Sequence, residues 1–474
     1  MSQPDAVVVG SGPNGLAAAL VLARAGLAVE VFERAAEPGG GCRTSELTLP
    51  GFQHDVCSTV QALAAASPFF LATDLAARGV RLVTPPVAFA HPLDGGRAAA
   101  VLPSVTDTAA GLGADSRAYR RLVGPLVADT SLIVPTVLRP LRSVPAHPLA
   151  LARFGLPGLA PATLLARRLR TEQGRALLAG VAAHAMQPLS APLTGGFGLV
   201  LLMLAHATGW PFVEGGSGRL VQALVSELTE LGGRVHTGCE VSSLAELPAA
   251  GTVLLDVTPR QFIGLAGGTL PDRYQRRLAA FRYGPGVCKV DWALDGPVPW
   301  AAAACRKAGT VHLGGTMAEI AACEADVSAG RHPERPYCIV TQPCIADPAR
   351  APDGRQTLWG YCHVPAGSPA DMSGAIEAQI ERFAPGFRDR ILARSVRTAV
   401  QQEQHNPNYV GGDVNSGAGT LRQTVLRPTA RWNPYRTALP GVYLCSASTA
   451  PGGGVHGMCG AGAAQAALAD LRIR

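Results

Sequence analysis

Near its start the chain carries a short unbroken apolar run, Ala6-Val7-Val8-Val9, with polar residues before it and glycine after it. A β-branched run without polar alternation predicts a strand buried on both faces, as in a parallel sheet. Residues 16–25, rich in Ala and Leu, predict a helix that Gly26 ends, and 27–32 alternates like a second strand. Helical spacing of apolar residues returns at 220–231, where Gly232-Gly233 stops it; Arg234-Val235-His236-Thr237 and 253–257 predict two further strands. Gly441 to Ser448 predicts another buried strand, and small residues from Val455 to about Leu471 predict a closing helix. Between these segments, 101–214 reads as apolar helices broken by Pro135, Pro140, Pro145, Pro148, Pro157 and Pro161. Gly286–Leu294 predicts a strand of a second sheet. The longest apolar stretches are 197–205 and the Pro-broken 122–138, which carries Asp129; neither predicts a membrane span.

Composition narrows the class. Only 16% of the 474 residues are charged and 47% are hydrophobic, which excludes a disordered chain. Single cores stop growing beyond roughly 250–300 residues, so two domains are expected. With 55 Gly and 38 Pro and no repeat period, many turns and close backbone approaches are predicted, not a coiled coil. The net charge of +7 does not point to nucleic acid: only Lys289 and Lys307 are lysines, and no basic stretch is interleaved with aromatics. The 11 cysteines form no C-x-x-C pair, so neither a zinc site nor a disulfide framework is predicted and no metal is expected. Reduced, buried thiols and a strand that leaves no room for a secretory signal predict a cytoplasmic protein.

The chemistry starts behind the first strand. Gly10-Ser11-Gly12-Pro13-Asn14-Gly15 opens the first helix, and Glu33 ends the second strand roughly 20 residues beyond the first glycine. In that order Gly10 permits the tight turn, Gly12 lets backbone approach a diphosphate, and Gly15 lets helix and strand pack closely. The helix N-terminus offers free N–H groups to the diphosphate, and Glu33 can accept hydrogen bonds from ribose hydroxyls. Arg34 and the next few residues lead to a second glycine cluster, Gly39-Gly40-Gly41-Cys42-Arg43-Thr44. In the middle, Trp210-Pro211-Phe212-Val213-Glu214-Gly215-Gly216 precedes a helix, and at the end Pro451-Gly452-Gly453-Gly454 opens another.

These three segments resemble the phytoene dehydrogenase-like proteins, FAD-dependent oxidoreductases of the carotenoid desaturase and flavin amine oxidase superfamily. Gly51-Phe52-Gln53-His54-Asp55 and Tyr283-Gly284-Pro285-Gly286 look like the same branch. The resemblance implies an α/β fold, a Rossmann-type FAD-binding domain of the two-dinucleotide-binding-domain flavoprotein kind, with an inserted mixed-sheet and helical substrate domain. It assigns 1–100, 215–285 and 431–474 to the FAD domain and 101–214 and 286–430 to the substrate domain. FAD would be held by Gly10, Gly12, Pro13, Asn14, Gly15, Glu33, Arg34, Gly40, Gly41, Cys42 and Arg43, by the Val241 backbone at adenine, and by Ser446, Gly454, Val455 and His456. A disulfide reductase would show a close dithiol, but after Cys42 the next cysteine is Cys57.

The implied activity is removal of hydrogen across a C–C bond of an apolar small molecule, with hydride passing to flavin N5. A flavin amine oxidase, a flavin-dependent saturase or isomerase, and a non-catalytic lipid or prenyl escort stand as alternatives. No second strand–G-x-G-x-x-G–helix unit is present, so oxygen or a quinone is the expected electron acceptor. Lys289 is a catalytic candidate, because amine oxidases use a lysine in a similar strand to hold a water near the flavin. His456 is another, as a proton relay or cofactor contact, with a structural cap as its other reading. Residues 139–175 hold Arg139, Arg142, Arg153, Arg167, Arg168, Arg170 and Arg175 against the single acid Glu172. A solvated face is the preferred reading of that stretch, and peripheral membrane contact is the other.

Overall fold

The computed structural model describes residues 3–142 and 148–473. Residues 143–147, near the start of the Arg-rich stretch and including Pro145, lie outside the described residues.

Five parallel strands form the first sheet, in the order Val442–Leu444, Thr252–Leu255, Ala6–Val9, Val29–Phe32, Arg234–His236. The N-terminal strand is central, and all four of its residues are buried. That is why its sequence shows no polar alternation. Helix Pro13–Arg24 starts with proline in its first turn, where no N–H is missed, and packs against the closing helix Met458–Ile473. Their approach is close enough that a Cβ on Gly460 would fall 1.8 Å from the Asn14 carbonyl oxygen, so only glycine fits. The closing helix begins at Met458, not at Val455, because His456 turns back and its Nδ1 accepts the Met458 N–H at 3.0 Å.

Seven strands form the second, mixed sheet, in the order Ile391–Arg397, Gly286–Leu294, Gln356–Val364, Cys338–Thr341, Ala308–Leu313, Val87–Leu93, Arg97–Val101. Pairing is antiparallel except between Ala308–Leu313 and Val87–Leu93. The last two strands fall within the 1–100 segment expected in the dinucleotide domain, yet they pair with the substrate-half sheet. The reason is pairing: Val87–Leu93 is wholly buried and finds a partner on each side only there. Helices Glu172–Ala182 and Thr194–Ala207 cover this sheet through Leu177, Leu178, Val181, Leu199 and Met203. Among the described residues no helix is long and apolar enough to cross a membrane.

Candidate functional site

A cavity of about 520 Å³ opens where the parallel strands end. Val9 and Phe32, the last residues of two adjacent strands, form part of its floor. Ligands of open α/β sheets sit in this crevice, outside the carboxyl ends of the strands.

Sequence-predicted residues reach the cavity from five places. Gly10, Gly12, Pro13 and Asn14 come from the turn and first helical turn, and Glu33 and Arg34 from the end of the second strand. Gly40, Gly41, Cys42 and Arg43 follow from the second glycine cluster, and Val241 sits beside Glu240. Ser446, Gly454 and Val455 complete the wall from the C-terminal segment. Gly15 stands behind the turn: a Cβ there would lie 2.0 Å from the Gly10 carbonyl oxygen, and its N–H points to Asp256 at 3.0 Å.

Glu33 is fixed before any ligand arrives. Its Oε2 accepts from the Ser11 N–H (2.9 Å) and hydroxyl (2.6 Å), and Oε1 accepts from the Ala35 N–H (2.8 Å). Each carboxylate oxygen carries two lone pairs, so acceptor capacity remains for hydroxyls in the cavity. Arg43 lies across the floor: its guanidinium donates to His405 Nε2 (2.9 Å) and to the Gly40 carbonyl (3.1 Å). An acceptor Nε2 requires a neutral imidazole. Burial together with Arg397, Arg43 and Arg34 holds His405 down at about 4.

Three contributors escape sequence reasoning. Asp256 ends its strand directly behind the glycine turn, and burial, with Glu33 nearby, raises its carboxyl to about 7. Asn408 ties the loop 405–416 to that strand, donating to the Asp256 carbonyl (2.8 Å) and accepting from the Thr258 N–H (3.0 Å). Tyr409 lies beside Cys57 and against Gly41, where a Cβ would fall 2.4 Å from its hydroxyl, and that hydroxyl is pushed up by burial and by the Cys57 thiol. The available signal was the turn-rich run His405-Asn406-Pro407-Asn408-Tyr409, whose polar side chains have no place in a sheet interior.

Two predicted catalytic residues lie elsewhere. Lys289 is buried in the seven-stranded sheet, and its Nζ has three acceptors: Asp291 Oδ1 (2.5 Å), Asp291 Oδ2 (2.6 Å) and the Asp55 carbonyl (3.2 Å). Its three N–H groups are thereby engaged, and the side chain does not border the cavity. Asp55 itself is a buried hub. Burial would raise its carboxyl, but Arg350 and hydrogen bonds from Ser217 and Thr44 bring it below the usual range. His456 is also buried, with Nε2 on the Gly452 carbonyl (3.1 Å) and Nδ1 on the Met458 N–H. Burial lowers it to about 4, so it is neutral near pH 7 and adopts the cap arrangement.

The residues present fit a dinucleotide. A pinned carboxylate stands at the ribose position, a helix N-terminus faces the middle of the cavity, and arginines flank it. Asn14 Oδ1 and Gln261 Oε1, both in the cavity wall, are buried with no hydrogen-bond partner among the described residues.

The fold is shared with known proteins. Residues 8–68 match the NAD(P)-binding Rossmann-like domain family. The pyridine nucleotide-disulfide oxidoreductase domain-containing protein 2 of Mus musculus is 28% identical across 99% of this chain and 94% of its own. The hydroxyneurosporene desaturase of Cereibacter sphaeroides is 28% identical across 99% of both chains. A double mutant of putrescine oxidase, from a redesign of its cofactor binding, shares the fold with a TM-score of 0.63 at 17% identity. That match covers 100% of this chain and 99% of the other. The resemblance to the carotenoid desaturase and flavin amine oxidase superfamily is thus found again in both sequence and fold.

Proposed function

We propose, for a chain that shares its fold and nearly its whole length with flavoprotein oxidoreductases of this superfamily, that it is a FAD-dependent enzyme which dehydrogenates an apolar organic molecule. The observation that carries the reading is the continuity of one cavity from Val241 and Glu33, past the glycine turn, to Gly454, Val455 and Tyr409. When bound, FAD supplies a two-electron acceptor for hydride.

The chain's own residues perform the rest. Glu33 would hold the ribose, and the N-terminus of Pro13–Arg24 would offset diphosphate charge. Arg43, kept in place by Gly40 and His405, adds positive charge along the floor. Gly454 and Val455 bring backbone to the cavity wall, which Tyr409, Cys57 and Ser416 also line. Exclusion of water by these walls favours hydride transfer over side reactions. An acceptor such as oxygen or a quinone would be needed to take up the electrons that bound FAD would receive. The engagement of Lys289 by Asp291 and Asp55 weighs against the amine-oxidase alternative, which would need an N–H of this lysine left over to hold a water near the flavin.

An absorption spectrum of the purified chain, with the released cofactor identified after denaturation, tests the first half of the reading. A bound FAD chromophore is the expected result. A colourless protein that does not take up added FAD refutes it. Anaerobic bleaching by apolar substrates with saturated C–C bonds, and not by amines, is expected for the second half; bleaching by amines alone overturns it.

A further inference from the structure

Arg427 is a buried cation without an anion. It follows the helix Leu421–Leu426 and is 5% exposed. Nη1 donates to the Ala447 carbonyl at 3.3 Å and Nη2 to the Gly417 carbonyl at 3.2 Å, while Nε–H has no acceptor among the described residues. Arg350, also buried, pairs with Asp55 at 2.6 Å; among the described residues Arg427 has no such partner. Asp413 acts on it through space, but that carboxylate is taken up by the N–H groups of Gly284 (2.7 Å), Gly417 (2.7 Å) and Asn415 (2.9 Å). Its other titratable neighbours are uncharged near neutral pH, because burial raises the Cys459 thiol to about 11 and lowers His456 to about 4. Burial lowers Arg427 as well, yet a guanidinium keeps its proton in a protein. A buried charge left unpaired is strongly unfavourable, and its persistence calls for an anion that the chain does not itself supply.

The guanidinium ties together three segments of the cofactor cavity. Gly417 follows Val414, Asn415 and Ser416, which line the cavity; Ala447 lines it directly; and Gly452 leads to Gly454 and Val455. A Cβ on Gly452 would run into Nη1 and one on Gly417 into Nη2, so only glycine lets the charge come this close. Arg427 does not line the cavity itself and acts from behind these segments. Glu33 and the N-terminus of Pro13–Arg24 account for ribose and diphosphate, which leaves this stretch of wall for the flavin ring. We propose that Arg427 is a positioning residue whose charge stabilises the reduced flavin, an inference that rests on the FAD reading above. Hydride would carry two electrons and one proton to N5, and the substrate's second hydrogen would leave as a proton. The ring, neutral when oxidised, would gain one negative charge over N1 and the C2 carbonyl, with no second proton taken up. At an effective dielectric of about 20, a unit charge behind one layer of backbone shifts such an equilibrium by about tenfold or more. Two carbonyls fix the guanidinium beforehand, so it need not reorganise during transfer.

The test is a reductive titration of the FAD-loaded full-length chain against a reference dye, beside free FAD. Arg427→Gln should lower the two-electron reduction potential by about 30 mV or more, which is that tenfold converted. Arg427→Lys keeps the charge and should retain most of the native potential, even where both variants lose thermal stability. The native protein adds a reading that needs no variant. At about pH 6, where free reduced flavin takes up a second proton, its potential should fall by about 30 mV per pH unit, against about 60 mV for free FAD. An unchanged potential in Arg427→Gln, or a native slope equal to that of free FAD, overturns the inference and leaves the FAD reading standing. An equal fall in the Gln and Lys variants also overturns it, because shape and not charge would then matter. Weaker binding of both oxidised FAD and ADP by Arg427→Gln, at an unchanged potential, overturns it and assigns the guanidinium to the diphosphate. A native chain that takes up no FAD removes both readings together.

Discussion

Replacing Asp256 by Asn tests the electrostatics behind the glycine turn. The carboxyl accepts one N–H, from Gly15 at 3.0 Å, and is 8% exposed. Burial and Glu33 raise it from 3.8 to about 7. In the unfolded chain it ionises near its ordinary value, so between these two points the folded state binds a proton that the unfolded state has lost. Folding stability therefore falls as pH rises through this window and levels off above it. At 1.36 kcal/mol per pH unit the full loss is on the order of 4 kcal/mol, of which about 3 kcal/mol accrues between about pH 5 and pH 8. Asn reproduces the neutral acid and its acceptor oxygen and cannot ionise. In chemical denaturation of the cofactor-free chain, Asp256→Asn should gain on the native sequence steadily from about pH 5 and hold a constant lead above about pH 8. A diphosphate above the turn would add to the push on the carboxyl. FAD affinity of the native chain should then weaken as pH rises past neutrality, while that of Asp256→Asn stays flat. An offset between the two proteins that does not change with pH refutes the reasoning, because it would mean that Asp256 ionises equally in both states.

Other perturbations separate binding from structural support. Lys289→Met leaves Asp291 buried without its cation and should destabilise the fold by about 3–5 kcal/mol, read as a lowered melting temperature. Adding Asp291→Leu should restore most of that loss, as a reacting lysine would not allow for activity. Glu33→Ala removes the ribose acceptor and should weaken FAD about tenfold or more, measured by flavin fluorescence titration. His456→Ala removes both the Gly452 and Met458 hydrogen bonds, at a cost of about 1–2 kcal/mol in thermal stability. With its titration held near 4, it should leave the pH profile of flavin reduction around neutrality unchanged.

Legibility in the sequence followed the range of the contacts. The unit from Ala6 to Glu33 is nearly self-contained: its turn, helix and acid satisfy one another, as Ser11 with Glu33 shows. Those residues could be placed from spacing alone. Lys289 was open to misreading because a lysine in a strand looks the same whether its partners are solvent, substrate or acid. The decisive partners are Asp291, two residues on and on the same face, and Asp55, brought in from the short strand His54–Asp55. Asp256 was hidden for the opposite reason. At the end of a predicted strand it resembles an ordinary solvent-facing terminus until Thr252–Leu255 is registered beside Ala6–Val9, which sets it against the turn. The loop 405–416 belongs by chain position to the substrate half, and only its folding back brings Asn408 and Tyr409 to the cofactor cavity.

The order of strands in the parallel sheet also governs how the protein is made. Its central strand, Ala6–Val9, leaves the ribosome first, but its neighbour Thr252–Leu255 and the outer strand Val442–Leu444 come far later. Chains grow at about 5–20 residues per second, so that strand waits on the order of 10–50 s for its second flank and longer for the closing helix. During that time an apolar strand with one open edge is exposed to every other nascent chain. Truncation before residue 250 would prolong this interval without limit, and such a fragment should be held by chaperones or degraded, even though it retains every residue of the glycine turn.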